Sequence, residues 1–200
     1  MRHKEKIMEL YGNETENRDY LFNKLKDNTV IAGHGCLVGK EIPVPYKNIF
    51  IPVKKALEIW CFDQDICVYQ KLFDKTIDSK NIVVASDKET ILKVELQVKT
   101  KNEDIGMPFV AIETKMANAD TDKLLASSEK IKMIKTIFPY CKGFLLVFGY
   151  PSPRFFRLCS GFDEILFLEK LDDKNCEPII NKIVEETENA YFYVTSVASF

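Results

Sequence analysis

The stretch Gly106–Lys115, GMPFVAIETK, runs from a turn-forming start through a short apolar run straight into charge. Val110, Ala111 and Ile112 are the sort of run that makes a buried strand, yet Glu113 and Lys115 follow it directly. Side chains two apart in a strand share a face. Glu113 and Lys115 are therefore expected to project side by side, with Val110, Ile112 and Thr114 facing the other way. Two readings compete. The pair is the solvated end of an ordinary strand, a weak ion pair worth about 0–1 kcal/mol, or the strand holds two charged groups beside a reaction.

The flanking segments supply context. Residues 4–27 are rich in helix formers and predict two short helices, and residues 29–53 read as irregular strands and loops. From Lys54 to Lys75, Ile59, Phe62, Ile66, Tyr69 and Phe73 recur at steps of three and four, which predicts a helix. Strand patterns follow at 81–86, 90–101 and 107–116. A helix is expected over 121–138, opened by Thr121 or Asp122 and closed before Pro139. Residues 141–149 and 164–171 read as strands and 176–192 as a helix. That order is an α/β class with a mixed β-sheet, a meander of strands followed by a helical crossover. Residues 1–53 are read as an N-terminal helical and irregular extension and 54–200 as the α/β domain, together one compact unit.

Residues 90–101 alternate cleanly: Val94, Leu96 and Val98 form an apolar face, and Lys93, Glu95, Gln97 and Lys99 a polar one. If this segment and 107–116 form a hairpin turning at NEDIG, the polar faces coincide, and Glu95 and Gln97 lie near Glu113 and Lys115. A carboxylate on one strand, a hairpin, then an apolar run ending in E-x-K resembles the PD-(D/E)XK nuclease superfamily, the restriction-endonuclease-like fold. The predicted α-β-β-β-α-β order over residues 54–149 resembles its common core, and GMPFVAIETK is similar to the G-x-P-L-x-V-I-E-x-K stretch in the nuclease domain of type I restriction enzymes.

The resemblance implies a Mg²⁺- or Mn²⁺-dependent endonuclease that hydrolyses DNA phosphodiester bonds, with Glu113 a metal ligand, Lys115 the catalytic lysine and the carbonyl of Thr114 a further ligand. The chemistry suits these residue types. Phosphodiester hydrolysis uses a divalent ion to neutralise phosphate charge and to make hydroxide near neutral pH. Mg²⁺ takes oxygen ligands and keeps several waters, and an ammonium beside it can orient water or stabilise developing charge. The family's first acid is not marked by a Pro-Asp pair, which this sequence lacks. Asp104, Glu95 and Asp87 are the candidates. Asp104 serves only with a tight turn around Gly106–Pro108, since a straight strand puts it roughly 30 Å from Glu113. Glu58 is the candidate accessory acid. The resemblance also implies a DNA partner, a homodimer where both strands are cut, and a restriction-modification partner subunit. The superfamily's inactive members supply the alternative, a silent module that binds DNA or protein.

Lys130, Lys132 and Lys135 fall on the 121–138 helix, where a solvated face is the plain reading and phosphate contact the functional one. Tyr150, Arg154 and Arg157 are candidate DNA contacts. His34 and Cys36 in GHGCLVG raise a cysteine nucleophile, but base candidates are few, and a buried thiol beside a turn histidine fits better. The six cysteines include no CxxC pair and read as reduced thiols of a cytoplasmic protein. No zinc-ligand spacing occurs. The net charge of −2 argues against binding nucleic acid by bulk electrostatics, though not against a local groove. No apolar run approaches the roughly 20 residues of a membrane span.

Overall fold

The computed structural model describes residues 13–51, 53, 56–74, 82–86, 91–99 and 104–197. Two helices, α1 (Glu14–Leu25) and α2 (Thr29–Gly33), precede the strands β1 (Leu37–Ile51), β2 (Ala56–Asp74), β3 (Ile82–Ser86), β4 (Ile91–Lys99) and β5 (Asp104–Met116). Then come α3 (Thr121–Ile137), β6 (Lys142–Phe148), α4 (Pro153–Leu158), β7 (Glu164–Leu168) and α5 (Asp173–Val197). The strands form one mixed seven-stranded sheet in the order β3-β4-β2-β5-β6-β7, with β1 also paired to β2. The class is mixed α/β, with helices flanking the sheet.

Each face of the sheet carries its own core. Ile66, Val68, Val110, Ile112, Phe144 and Leu146 pack with α1, α2 and α5 through Leu21, Leu25, Ile31, Ile179 and Ile183. Cys67, Tyr69, Ala111, Leu145 and Val147 pack with α3 and α4 through Leu124, Ile131, Ile134 and Phe155. Alternate residues of β2, β5 and β6 thus enter opposite cores. Strands buried on both faces show near-continuous apolar runs rather than alternation.

That double burial corrects the helix expected over 54–75. The steps of three and four from Ile59 to Phe73 are accidental, because both faces of β2 demand apolar residues. Its content of Ile, Val, Tyr, Trp and Phe favours a strand. The long strand pairs antiparallel with β1 over Ala56–Tyr69, from Leu37↔Tyr69 to Ile51↔Ala56. Its other edge is shared. Ala56–Trp60 pairs parallel with β4, whereas Ile66–Asp74 pairs antiparallel with β5. The hairpin expected between 90–101 and 107–116 therefore does not form, because β4 and β5 take different stretches of that edge and pair with β2 instead of with each other.

Sharing that edge opens a fork in the sheet. The β2–β5 ladder ends at Ile66↔Ile112, so Glu113–Met116 of β5 continues beside β6 alone. Between the stretches of β2 paired with β4 and with β5 lies Cys61–Asp65. The polar groups of the candidate site gather in this gap.

Candidate functional site at the fork of the sheet

Where the ladder stops, a side chain takes over the missing backbone partner. Asp65 Oδ2 accepts hydrogen bonds from the Thr114 backbone N–H at 2.8 Å and from Thr114 Oγ1 at 3.0 Å. One β2 carboxylate is thereby fixed directly beside Glu113 and Lys115. The predicted facing of β5 holds: Val110 and Ile112 enter one core, and Glu113 turns toward α3 on the other side.

Lys115 is the centre of the cluster. Its Nζ lies 3.5 Å from Glu113 Oε2, 3.7 Å from Asp65 Oδ2 and 3.7 Å from Glu14 Oε1 of α1. It also donates to the Thr114 carbonyl at 2.6 Å. Burial works against its charge, but the surrounding Glu113, Asp65 and Glu14 carboxylates outweigh it and raise its pKa above the ordinary lysine value. Glu14 moves up as well, through burial and the nearby Asp65 charge, against the pull of Lys115.

Glu113 is only 4% exposed, so its charge must be paired within the protein. Lys130 and Ser127, one turn apart on α3, both reach it. The Lys130 ammonium bonds Glu113 Oε1 and the Asp63 carbonyl, and Ser127 Oγ donates to Glu113 Oε2 at 3.3 Å. The fork's free carbonyl at Asp63 and free N–H at Thr114 are thus both satisfied by side chains. From the opposite face, Arg18 of α1 reaches Asp65 Oδ1 at 3.7 Å and Glu41 at 3.3 Å. Glu41 falls between the paired residues Lys40↔Ile66 and Ile42↔Gln64 and adopts φ +54°. Gln64 beside it is fully buried, with neither amide atom bonded among the described residues.

The residues singled out from sequence divide sharply. Glu113, Thr114 and Lys115 come together at the fork. Asp104 begins β5 opposite Asp74, and Glu95 pairs with Ala56, so they sit toward opposite ends of β2. At about 3.3 Å per residue each is roughly 30 Å from the fork, far too distant to share an ion with Glu113. Asp87 lies outside the described residues. Glu58 is on β2 rather than a helix and accepts from Trp60 Nε1 at 3.3 Å; the helical acid at the cluster is Glu14.

Asp65, Glu14 and Arg18 were missed. The signal for Asp65 was present: FDQDICVY places an acid just before an apolar run, and VAIETK places one just after. Antiparallel pairing of those runs brings the two acids together, but only once 54–75 is read as a strand.

The other candidates take plainer roles. Lys132 pairs with Glu129 at 2.7 Å, and Lys135 ties α3 to Asp163 at 2.6 Å. Arg154 donates to the Ala119 carbonyl. Tyr150 is exposed and lies beside Phe167, the rings tilted and their centroids 5.8 Å apart. Cys36 is buried, which pushes its thiol up to about 11, and His34 lies 3.5 Å from Glu188 instead of serving as its base. A protonated thiol is no nucleophile. All six cysteines are free.

Among the described residues, no group of three or more His, Cys, Asp or Glu side chains is gathered as a ready metal cage. Around the fork the carboxylates are separated by the Lys115 ammonium they share. Comparison with models of known protein families and with curated proteins gives no match. No helix among the described residues is long and apolar enough to cross a membrane.

Proposed function

We propose that the chain is a divalent-metal-dependent nuclease of restriction-endonuclease-like fold that hydrolyses DNA phosphodiester bonds. The observation that carries this reading is the convergence of Asp65 and Glu113, from adjacent antiparallel strands, on Lys115 at an opening in the sheet. Two acids and a lysine on neighbouring strands are the constellation the E-x-K resemblance requires, with Asp65 as the first acid.

The donor set fits a hard cation. Asp65, Glu113 and the Thr114 carbonyl offer only oxygen, as Mg²⁺ or Mn²⁺ prefers, and two carboxylates suffice for an ion that keeps most of its waters. When bound, such an ion supplies charge neutralisation at the phosphate and a more acidic water. The chain's own groups do the rest. Thr114 fixes the rotamer of Asp65 through two hydrogen bonds, and Lys115, held charged by its three carboxylates, is placed to hold a water or a phosphate oxygen. Glu14 is the accessory acid, delivered by α1.

A silent binding module is the second reading, favoured by the pairing of every carboxylate in the cluster with a lysine or arginine. A plasmid-nicking assay with Mg²⁺ or Mn²⁺ separates the two. The nuclease reading expects nicking by the wild type that vanishes in Glu113→Ala and Lys115→Ala. Equal nicking by all three proteins sinks the proposed site, and no nicking by any of them supports the silent module.

A further inference from the structure

Both carboxylates of the proposed metal site already have partners. Glu113 Oε1 is held by Lys130, and Oε2 by Ser127 and Lys115. Asp65 Oδ2 is held by Thr114, and Oδ1 faces Arg18. The charges are balanced too: Asp65, Glu113 and Glu14 face Arg18, Lys115 and Lys130. A divalent cation entering this cluster would meet no surplus negative charge, and its Coulomb gain would be offset by three cations at contact range. One resident cation has to leave.

The geometry singles out which. Lys115 is locked from several sides by Glu113, Asp65, Glu14 and the Thr114 carbonyl. Arg18 reaches its partners at 3.3 and 3.7 Å from a helix on the other face of the sheet and does not touch Glu113. Among the described residues, Lys130 holds only Glu113 Oε1 and the Asp63 carbonyl, with the Phe62 ring 5.9 Å below its ammonium. Its flexible four-carbon stem lets the ammonium swing off without moving the α3 backbone. It therefore occupies the one Glu113 oxygen that a metal ion could take by displacing a single side chain.

We propose that Lys130 is a built-in counter-cation that occupies the metal position of Glu113 and must be displaced for a divalent ion to bind. The inference rests on the nuclease reading above and adds a positioning residue to it: Lys130 keeps Glu113 paired and aimed while sealing the site against adventitious metal. It also implies weak metal affinity in the free protein.

The test is calorimetric titration of the full chain with Mn²⁺ alone, without DNA, on the wild type and Glu113→Gln, Lys130→Met and Lys130→Arg. Binding by the wild type that is lost in Glu113→Gln establishes the metal site independently. Lys130→Met is then expected to bind Mn²⁺ at least about tenfold more tightly, since a unit charge at contact range is removed. Lys130→Arg keeps the charge and stays within about threefold of the wild type by the same argument. A Lys130→Met protein that melts cooperatively yet binds Mn²⁺ no better than the wild type overturns the proposal while leaving the metal site standing. Should that variant fail to fold, Lys130→Gln carries the same expectation. If no protein shows Glu113-dependent binding, the metal reading itself falls.

Discussion

Asp65→Asn is the perturbation that most directly probes the fork. The substitution is isosteric and leaves one oxygen to accept from Thr114, so the loss is chiefly one of charge. Asp65 Oδ2 takes two hydrogen bonds, from Thr114 N at 2.8 Å and Oγ1 at 3.0 Å. A bond to a charged acceptor is worth about 1.5–3 kcal/mol and a neutral one about 0.5–1.5. Two such downgrades amount to about 2 kcal/mol, or roughly 4–8 °C in Tm for a chain of this size. Asp65→Ala goes further, because Thr114 is fully buried and its N–H would be left unpaired, adding about 1–3 kcal/mol. Urea unfolding measures both. In the nicking assay Asp65→Asn is expected to lose more than the roughly 100-fold that outer partners of metal sites reach, whereas Glu95→Gln and Asp104→Asn nick as the wild type does. Wild-type nicking by a folded Asp65→Asn protein would refute the assignment of the first acid, and so would loss of activity in Glu95→Gln or Asp104→Asn alone.

Further outcomes follow from packing and titration. A Cβ on Gly161 would lie 2.1 Å from the backbone oxygen of Ser128 in α3, so Gly161→Ala should lose about 1–3 kcal/mol on chemical denaturation. By contrast, a Cβ added to Gly33 at the end of α2 would meet no atom of the described residues within 4 Å, and Gly33→Ala should gain about 0.4–1 kcal/mol. Gln64→Met removes a buried amide with no bonded partner among the described residues and is expected to raise stability by about 1–3 kcal/mol; a lower urea midpoint would show that the amide is bonded after all. Burial pushes Cys36 and Cys176 up to about 11 and Cys141 up to about 12, while thiols of the unfolded chain ionise near 9. Between pH 9 and 11 the folded chain therefore holds more protons than the unfolded one, and stability falls as pH rises. Lys115, raised above 10.5, contributes stability that is present below that value and lost as pH climbs through its folded pKa. Urea midpoints that stay flat from pH 8 to 11 would contradict the cysteine reading, and midpoints that stay flat from pH 10.5 upward would contradict that of Lys115.

What the sequence disclosed depended on how far apart the interacting residues were. The strand at 107–116 and the helix at 121–138 match Asp104–Met116 and Thr121–Ile137 closely, because each pattern is local. The shared facing of Glu113 and Lys115 is also local, fixed by the pleat. Asp65 required knowing that Ile66 pairs with Ile112, a contact set by the sheet, and it was hidden by the misreading of β2 as a helix. The clean alternation of Val94, Glu95, Leu96 and Gln97 correctly gave a strand but said nothing of its neighbour. Register follows from a face only when the partner strand is known. Glu14 and Arg18 reach the cluster only through the docking of α1, and no periodicity in residues 14–25 encodes that.

The fork raises a question about stability that bears on function. Buried ion pairs are often no better than apolar residues of the same volume, whereas removing one partner alone costs about 3–5 kcal/mol. Glu113 and Lys130, with side chains 5% and 17% exposed, are such a pair. If the cluster exists to hold the sheet together, the double variant Glu113→Met/Lys130→Met should stay well below the wild type in stability, though by less than its two single losses summed, because contacting charges are coupled. If the charges are kept for chemistry, each single variant should be strongly destabilised while the double returns to within about 1 kcal/mol of the wild type or exceeds it. Lys115 keeps Asp65 and Glu14 as partners in every variant, so no third charge is stranded. A double-mutant cycle by urea denaturation reads the coupling directly. A folded double variant that stays as unstable as the single ones would make the network structural and remove the main physical reason for seeking a reaction at the fork.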